Sequence, residues 1–230
     1  MKIRRFFTLS ALLVAACVLS ACAAEPTTST STAAPVTTPS GVRGAVHLDD
    51  GYVELGSGPK VVDLFIDPLC PFCKLFEETS GPMLFAEATA GRATLRVHPL
   101  AVLNRLSQGT SYSTRASAMF VAVAAQSPDD AQNFLIALYA QQPAENSTGL
   151  TDTQLQQMAV DAGSSPVSAE DTAQYQVWVD EHTRLALTGP LTATDSIMAI
   201  TQVPTVLVNR TVFTGNSDET LAFAAFYRDR

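Results

Sequence analysis

Hydrophobic residues change their spacing along the chain, and the first half predicts a strand, a helix and a second strand. Residues 60–66, KVVDLFI, form a nearly continuous apolar run, which is typical of a strand buried on both faces. A helix is expected from Cys70 onward, with Pro71 at its first position and a kink or break at Gly81-Pro82. Residues 93–97 predict the next strand. This order predicts a βαβ unit with parallel strands.

The middle of the chain changes to helical spacing, and strands return only near the end. Four segments between residues 108 and 200 have the composition and period of helices, so we expect a helical block there. Residues 205–208 and 211–213 then predict two strands joined by a tight turn, which is the pattern of a hairpin. The last residues predict an amphipathic helix capped by Ser217, with acidic residues in its first turn.

The N-terminal 44 residues are expected to lie outside the folded domain. Residues 1–21 combine basic residues with an apolar run too short to span a membrane, which indicates a secretory signal. The sequence Leu-Ser-Ala-Cys at 19–22 resembles the lipobox of bacterial lipoproteins and implies lipidation of Cys22. The sequence Ala-Cys-Ala at 21–23 fits plain signal cleavage instead, and secretion is the alternative.

The segment after the signal favours the lipoprotein. Residues 22–44 form an expected tether, since 16 of the 22 residues after Cys22 are Thr, Ser, Pro or Ala. Such a composition cannot bury a core, so we expect it to stay disordered. A tether is useful to a domain whose front end is fixed to the bacterial cell membrane, so we expect an anchored, extracytoplasmic protein.

The net charge and the cysteine content argue against nucleic-acid binding and leave one cysteine pair for chemistry. The formal net charge of −8 gives no support to nucleic-acid binding, which needs basic patches. Of the four cysteines, Cys17 lies in the signal and Cys22 is either lipidated or removed. Cys70 and Cys73 remain, in a chain destined for an oxidising compartment.

The sequence Cys70-Pro71-Phe72-Cys73 has three interpretations. A structural zinc site needs four ligands, and the chain has no second cysteine pair and no paired histidines, so we expect no metal. A structural disulfide would close a very short loop, which gains little stability. The redox interpretation explains more, because helix N–H groups and the helix dipole stabilise a thiolate at Cys70. Cys70 would be exposed and react first, and Cys73 would resolve the mixed disulfide.

These features resemble the DsbA-type members of the thioredoxin superfamily. The resemblance covers about residues 45–230 and rests on the CPFC motif and on Val203-Pro204-Thr205 before the hairpin. It implies an α/β thioredoxin fold, a central mixed sheet flanked by helices, with an inserted helical domain. Residues 45–107 and 201–230 would form the thioredoxin-like domain, and residues 108–200 the insertion.

The resemblance also implies the site residues. In the family, the late proline is cis and the residue before it pairs with the substrate backbone, which implies substrate contacts by Val203 and Pro204. Pro71 and Phe72 are expected beside them, with Phe72 as an apolar surface. The strongest oxidants of the family carry a histidine where Phe72 stands, and that histidine helps to hold the thiolate. We therefore expect the Cys70–Cys73 couple to be less oxidising than that of the strongest oxidants of the family.

An acidic residue beneath the cysteines commonly relays protons in this superfamily, and Asp67 and Asp63 are the candidates. Asp67 alternatively caps the turn before the helix, and Asp63 alternatively points outward from its strand. The resulting hypothesis is an extracytoplasmic thiol–disulfide oxidoreductase without a cofactor. It would introduce disulfides into exported reduced or unfolded proteins and be re-oxidised by a membrane partner. The alternatives are a reductase or isomerase using the same dithiol, and a non-catalytic lipoprotein interaction module with a structural disulfide.

Overall fold

The computed structural model describes residues 38–230. The predictions for the signal sequence, for lipidation at Cys22 and for most of the tether fall outside this range. Within it, the last residues of the expected tether are folded, because Val42–Arg43 is already a strand that pairs with Val46–His47. The predicted end of the tether at Gly44 was too late. Gly44 has a φ of 54° and makes the turn between these two strands.

The strands of the described part form one mixed sheet. The strands are β1 Val42–Arg43, β2 Val46–His47, β3 Tyr52–Gly56, β4 Lys60–Ile66, β5 Ala93–Pro99, β6 Thr205–Val208 and β7 Thr211–Val212. Their order in the sheet is β1-β2-β3-β5-β4-β6-β7. β4 and β5 are parallel and the helix Pro71–Thr89 connects them, which confirms the predicted βαβ unit, whereas the other neighbouring strands are antiparallel.

Four helices lie between β5 and β6, as the spacing predicted. The cap of α4 is the predicted capping box, in which the Thr151 hydroxyl accepts the Gln154 N–H and the Gln154 side chain binds the Thr151 N–H. Residues 104–106 and 128–130 add short 3₁₀ turns. The helices are α1 Pro71–Thr89, α2 Tyr112–Gln126, α3 Ala131–Ala140, α4 Asp152–Asp161, α5 Ala169–Thr188 and α6 Thr220–Asp229.

Two predicted helix ends are wrong. α1 does not break at Pro82 but continues to Thr89, because the residues on both sides of the proline are held in the core. The final helix is not capped by Ser217. It begins at Thr220, since the Glu219 carboxylate accepts the Asn216 N–H and fixes a turn ahead of the helix.

Both faces of the sheet are covered, and β4 supplies side chains to each. Leu64 and Ile66 face α1 and α3, where they line a small internal space with Cys73. Phe65 points the other way and joins a second apolar cluster with Ala186 and Ile200. This alternation follows from the period of two along a strand, and it separates the two faces chemically. The architecture confirms the α/β class.

The helical block shares the core of the sheet. Tyr112, Phe120 and Trp178 belong to the cluster that also contains the β4 residues Val62 and Leu64. Residues 38–230 therefore belong to one compact unit. Among these residues, no helix is both long enough and apolar enough to cross a bilayer.

Candidate active site

The dithiol lies where β4 ends and α1 begins. Cys70 is the residue before the first helical position, which Pro71 occupies. The Cys70 N–H donates to Asp67 O at 3.0 Å, and the Cys70 carbonyl accepts the N–H groups of Cys73 and Lys74, each at 3.1 Å. The strand therefore ends in a tight turn that presents Cys70 to the free N–H groups of the helix. Both thiols are reduced.

Cys70 is less exposed than the sequence predicts. Its exposed fraction is 4%, and that of Cys73 is 1%, whereas Phe72 is 64% exposed. Cys70 is covered because the loop before β6 lies against it, with the Val203 carbonyl 3.3 Å from the Cys70 sulfur. The Val203-Pro204 peptide bond is cis. The tertiary structure thus brings the two motifs of the resemblance into direct contact.

The two sulfurs have opposite electrostatic environments. The pKa of Cys70 is lowered, chiefly by the hydrogen bond from the Cys73 side chain and further by the N–H groups of Cys73 and Phe72, against the effect of burial. The pKa of Cys73 is raised well above its ordinary value, chiefly by burial. Cys70 is therefore the thiol that ionises first, and Cys73 holds its proton.

Asp67 is fully buried directly below this turn. One carboxylate oxygen accepts the Leu69 N–H at 2.8 Å and the Ser113 hydroxyl at 2.7 Å, and the other accepts the Leu103 N–H at 2.8 Å. Burial still raises the pKa of Asp67 to about 6. Its N–H lies 3.5 Å from the Cys73 sulfur. Donors occupy both oxygens, so this geometry favours the capping role over the proton relay.

Asp63 is on the other face of the sheet. It is buried and 2.9 Å from the Nε2 atom of His98, whose ring stacks on Phe65 at 4.0 Å. It neither points outward, as one alternative held, nor faces Cys73, because β4 directs Leu64 and Ile66 toward the cysteines. We therefore assign Asp63 no part in proton transfer at the dithiol.

A groove opens beside the dithiol. It has a volume of about 560 Å³ and extends from the CPFC turn along the loop before β6 to the residues before α6. Apolar and polar residues both line it, and Asn216, Ser217 and Asp218 are among the polar ones. The expected contact residues Phe72, Val203 and Pro204 line it. Pro71 is exposed next to them but does not line the groove.

Three polar side chains of the helical block reach the same turn, and the sequence analysis missed them. Ser113 binds the Asp67 carboxylate, Tyr139 lies 3.4 Å from the Asp67 carbonyl, and Gln142 binds the carbonyls of Pro68 and Cys70. Their sequence contexts are ordinary helices and a helix end, so no motif marks them. Only the packing of the block against the turn identifies them.

The described residues contain no group of three or more His, Cys, Asp or Glu side chains that is placed to hold a metal ion. What the dithiol region can do is exchange electrons. The Cys70 sulfur contacts Val203, a residue that lines the groove, and Cys73 lies one helical turn behind it, within hydrogen-bonding distance of the Cys70 sulfur. This is the arrangement that thiol–disulfide exchange needs.

Comparisons with known proteins agree with this geometry. The family model described as Thioredoxin matches residues 56–224. A solved structure titled as the reduced form of the disulfide bond oxidoreductase DsbG of Mycobacterium tuberculosis is 26% identical, with a TM-score of 0.59. The match covers 76% of this chain and 82% of that one. Oxidised DsbA of the same organism is 25% identical with a TM-score of 0.60, and the match covers 77% of this chain and 91% of that one.

A curated relative of a different kind also matches. A stretch of 126 residues is 32% identical to the serine/threonine-protein kinase PknE of Mycobacterium tuberculosis. It covers 53% of this chain but 22% of the kinase, so the chain spans about a fifth of that relative. The matched family model, the solved structures and the strand–CPFC–helix geometry agree: this chain belongs to the thioredoxin superfamily and is similar to its DsbA-type members.

Proposed function

We propose that the protein introduces disulfides into exported proteins by donating its Cys70–Cys73 disulfide. The observation that carries this proposal is the asymmetry of the two thiols. The pKa of Cys70 is lowered and that of Cys73 is raised. A stabilised thiolate at Cys70 favours the reduced form of the protein, and stabilising the reduced form makes the disulfide a better oxidant.

The exchange proceeds in two displacement steps. A substrate thiolate attacks the Cys70 sulfur, the Cys70–Cys73 bond breaks, and Cys73 leaves with the electron pair and takes up a proton. A second substrate thiolate then attacks the substrate sulfur of the mixed disulfide, and Cys70 leaves as a thiolate. Two electrons pass from the substrate to the protein. The lowered pKa of Cys70 assists the second step, because a thiol of lower pKa leaves faster.

The groove beside Cys70 is the proposed substrate site. Phe72, Val203 and Pro204 line it, and we assign them to contact an extended substrate segment, with Pro71 fixing the start of α1. Apolar lining residues such as Phe72 and Val203 suit reduced or unfolded chains, because such chains expose hydrophobic side chains. The Val203 carbonyl accepts a hydrogen bond from the Cys70 thiol at 3.3 Å and is therefore a backbone acceptor next to the reacting sulfur.

The proposed location is the outer face of the bacterial cell membrane. It rests on the lipobox-like Leu-Ser-Ala-Cys at 19–22 and on the tether that follows. There a membrane partner would re-oxidise the dithiol after each turnover. A Cys22→Ala variant should pass from the membrane fraction to the soluble fraction. Membrane association that survives this substitution contradicts the lipid anchor.

The oxidase function has a direct test in the full-length protein. The purified, oxidised protein should accelerate the recovery of activity by reduced, denatured ribonuclease A, and Cys70→Ser should abolish the acceleration. A parallel titration against glutathione gives the potential of the couple. Acceleration that persists in Cys70→Ser rules out the proposed nucleophilic position. A couple more reducing than cytosolic thioredoxin, at about −270 mV, points to a reductase instead.

A further inference from the structure

The turn that carries Cys70 is held by a side chain from the helical block. Gln142 follows the C-terminal end of α3 and is half-buried. Its Nε2 atom donates to the Pro68 carbonyl at 2.9 Å and to the Cys70 carbonyl at 3.0 Å. A primary amide has two N–H groups, so these two bonds use its whole donor capacity.

Gln142 joins two carbonyls of the turn through one nitrogen. The Pro68 and Cys70 carbonyls flank Leu69 and converge on one nitrogen, so their negative ends lie close together and repel each other. The Cys70 carbonyl also accepts two N–H groups from the first turn of α1. The Cys70 carbonyl belongs to the peptide plane that joins Cys70 to α1. A change in its direction tilts this plane and therefore moves the Cys70 sulfur relative to the helix N-terminus.

Electrostatics links this hydrogen-bonded arrangement to redox chemistry. Only the reduced protein can carry a thiolate at Cys70, because the disulfide has no ionisable group there. Carbonyl oxygens near the sulfur disfavour the thiolate, and the N–H groups of Gln142 offset part of their negative potential. A change in the free energy of the thiolate affects only the reduced form. It therefore shifts the equilibrium between the dithiol and the disulfide, in addition to any change in the stability of the fold.

We propose that Gln142 is a positioning residue for the redox dithiol, which holds the Pro68–Cys70 turn so that the N–H groups of α1 converge on the Cys70 sulfur. The helical block thereby tunes the electron affinity of the dithiol. This inference deepens the proposed function, since it concerns the same site. It predicts that the helical block influences the reduction potential of the Cys70–Cys73 couple through the Gln142 side-chain amide.

Three variants of the full-length protein test the role of Gln142. Gln142→Glu keeps the shape but replaces the two donors with a negative charge, and Gln142→Met removes the donors without adding a charge. Gln141→Glu is the matched control, because Gln141 is exposed and its side chain forms no hydrogen bond within residues 38–230. For each protein, the equilibrium with glutathione and the pH dependence of Cys70 alkylation are measured, together with the unfolding midpoint in urea.

The expected order of effects follows from charge and geometry. A charge within hydrogen-bonding distance of the turn shifts the pKa of a neighbouring group by about one unit or more. Gln142→Glu should therefore raise the pKa of Cys70 and lower the equilibrium constant for reduction by glutathione about tenfold, which equals about 30 mV. Gln142→Met should lower that constant about threefold, close to the net loss of one hydrogen bond. Gln141→Glu should stay within about twofold of the wild type.

Two results would overturn the inference. If Gln141→Glu and Gln142→Glu shift the equilibrium equally, the effect is a long-range charge effect and not a contact with the turn. If Gln142→Met lowers the urea midpoint but leaves the glutathione equilibrium unchanged, the side chain only braces the fold. The proposed oxidase function is judged separately, by the ribonuclease assay on the wild type, and its failure would leave these comparisons intact.

Discussion

The ionisation of Asp67 provides the sharpest quantitative prediction about the dithiol region. Burial raises the pKa of this carboxyl from its ordinary value of 3.8 to about 6, although three hydrogen-bond donors oppose the shift. The folded protein therefore binds this proton more tightly than the unfolded chain does. The stability that the protonated carboxyl contributes is fully present below about pH 4 and is lost as the pH rises through about 6.

The size of the effect follows from the shift. A difference of about two pKa units corresponds to about 3 kcal/mol of unfolding free energy. An Asp67→Asn variant stays neutral throughout this range and lacks the dependence. The difference in unfolding free energy, wild type minus Asp67→Asn, should therefore fall by about 2 kcal/mol between about pH 4 and about pH 7, and the rest of the effect lies below pH 4. Titrating groups that do not interact with Asp67 contribute equally to both proteins and cancel.

Urea unfolding measures this difference directly. Trp178 is the single tryptophan and is fully buried, so its fluorescence reports the global transition. The dithiol is kept reduced, which is the state described by the structure. A difference that does not change with pH would refute the reasoning, because it would mean that Asp67 ionises in the fold as it does in water. Asp67→Asn should also lower the pKa of Cys70, since the Asp67 charge raises it.

Three further predictions concern the dithiol and the opposite sheet face. In the native protein, iodoacetamide should alkylate Cys70 at neutral pH. In a Cys70→Ala variant, Cys73 should react at least about 100-fold more slowly, because it is buried and its pKa is raised. Mass spectrometry measures both rates. Phe72→His should add a donor beside the thiolate and make the couple more oxidising, by about tenfold in the glutathione equilibrium. His98→Ala should cost about 3 to 5 kcal/mol in urea unfolding, because it leaves the Asp63 carboxylate buried without its partner.

Each of these predictions has a clear contrary outcome. Comparable alkylation rates for the two cysteines would mean that Cys73 is accessible in the native state. An unchanged equilibrium in Phe72→His would show that the new imidazole does not reach the sulfur. A loss below about 1 kcal/mol in His98→Ala would mean that the pair behaves like an exposed one.

The β4–α1–β5 unit was predictable because its signals are local. The apolar run of residues 60–66 is typical of a strand buried on both faces, and Pro71 is favoured at the first position of a helix. The CPFC pair, at the junction of those two elements, already indicated redox chemistry. The four helices of the helical block and the capping box at Thr151 were predicted for the same reason, because helix caps and hydrophobic spacing depend on residues that are close together in the sequence.

Predictions failed where distant residues compete with local preference. Pro82 removes a helical hydrogen bond at a cost of about 3 kcal/mol, but α1 continues because Leu84 and Phe85 beyond it are buried. The burial of Cys70 depends on a loop more than 100 residues away, through the Val203 carbonyl. The substrate-contact roles of Val203 and Pro204 stay predictions, although the structure brings both residues to the groove.

The sequence by itself determined that this chain carries a dithiol at a strand-to-helix junction, because strand burial, helix start and cysteine spacing are all local properties. The tertiary structure alone decided the environment of that dithiol. Which carboxyl lies beneath it, which carbonyl covers Cys70 and which amide holds the turn depend on how the helical block and the loop before β6 pack. Packing fixes these contacts because hydrogen bonds and charges act over a few ångströms in space, whatever the separation along the chain.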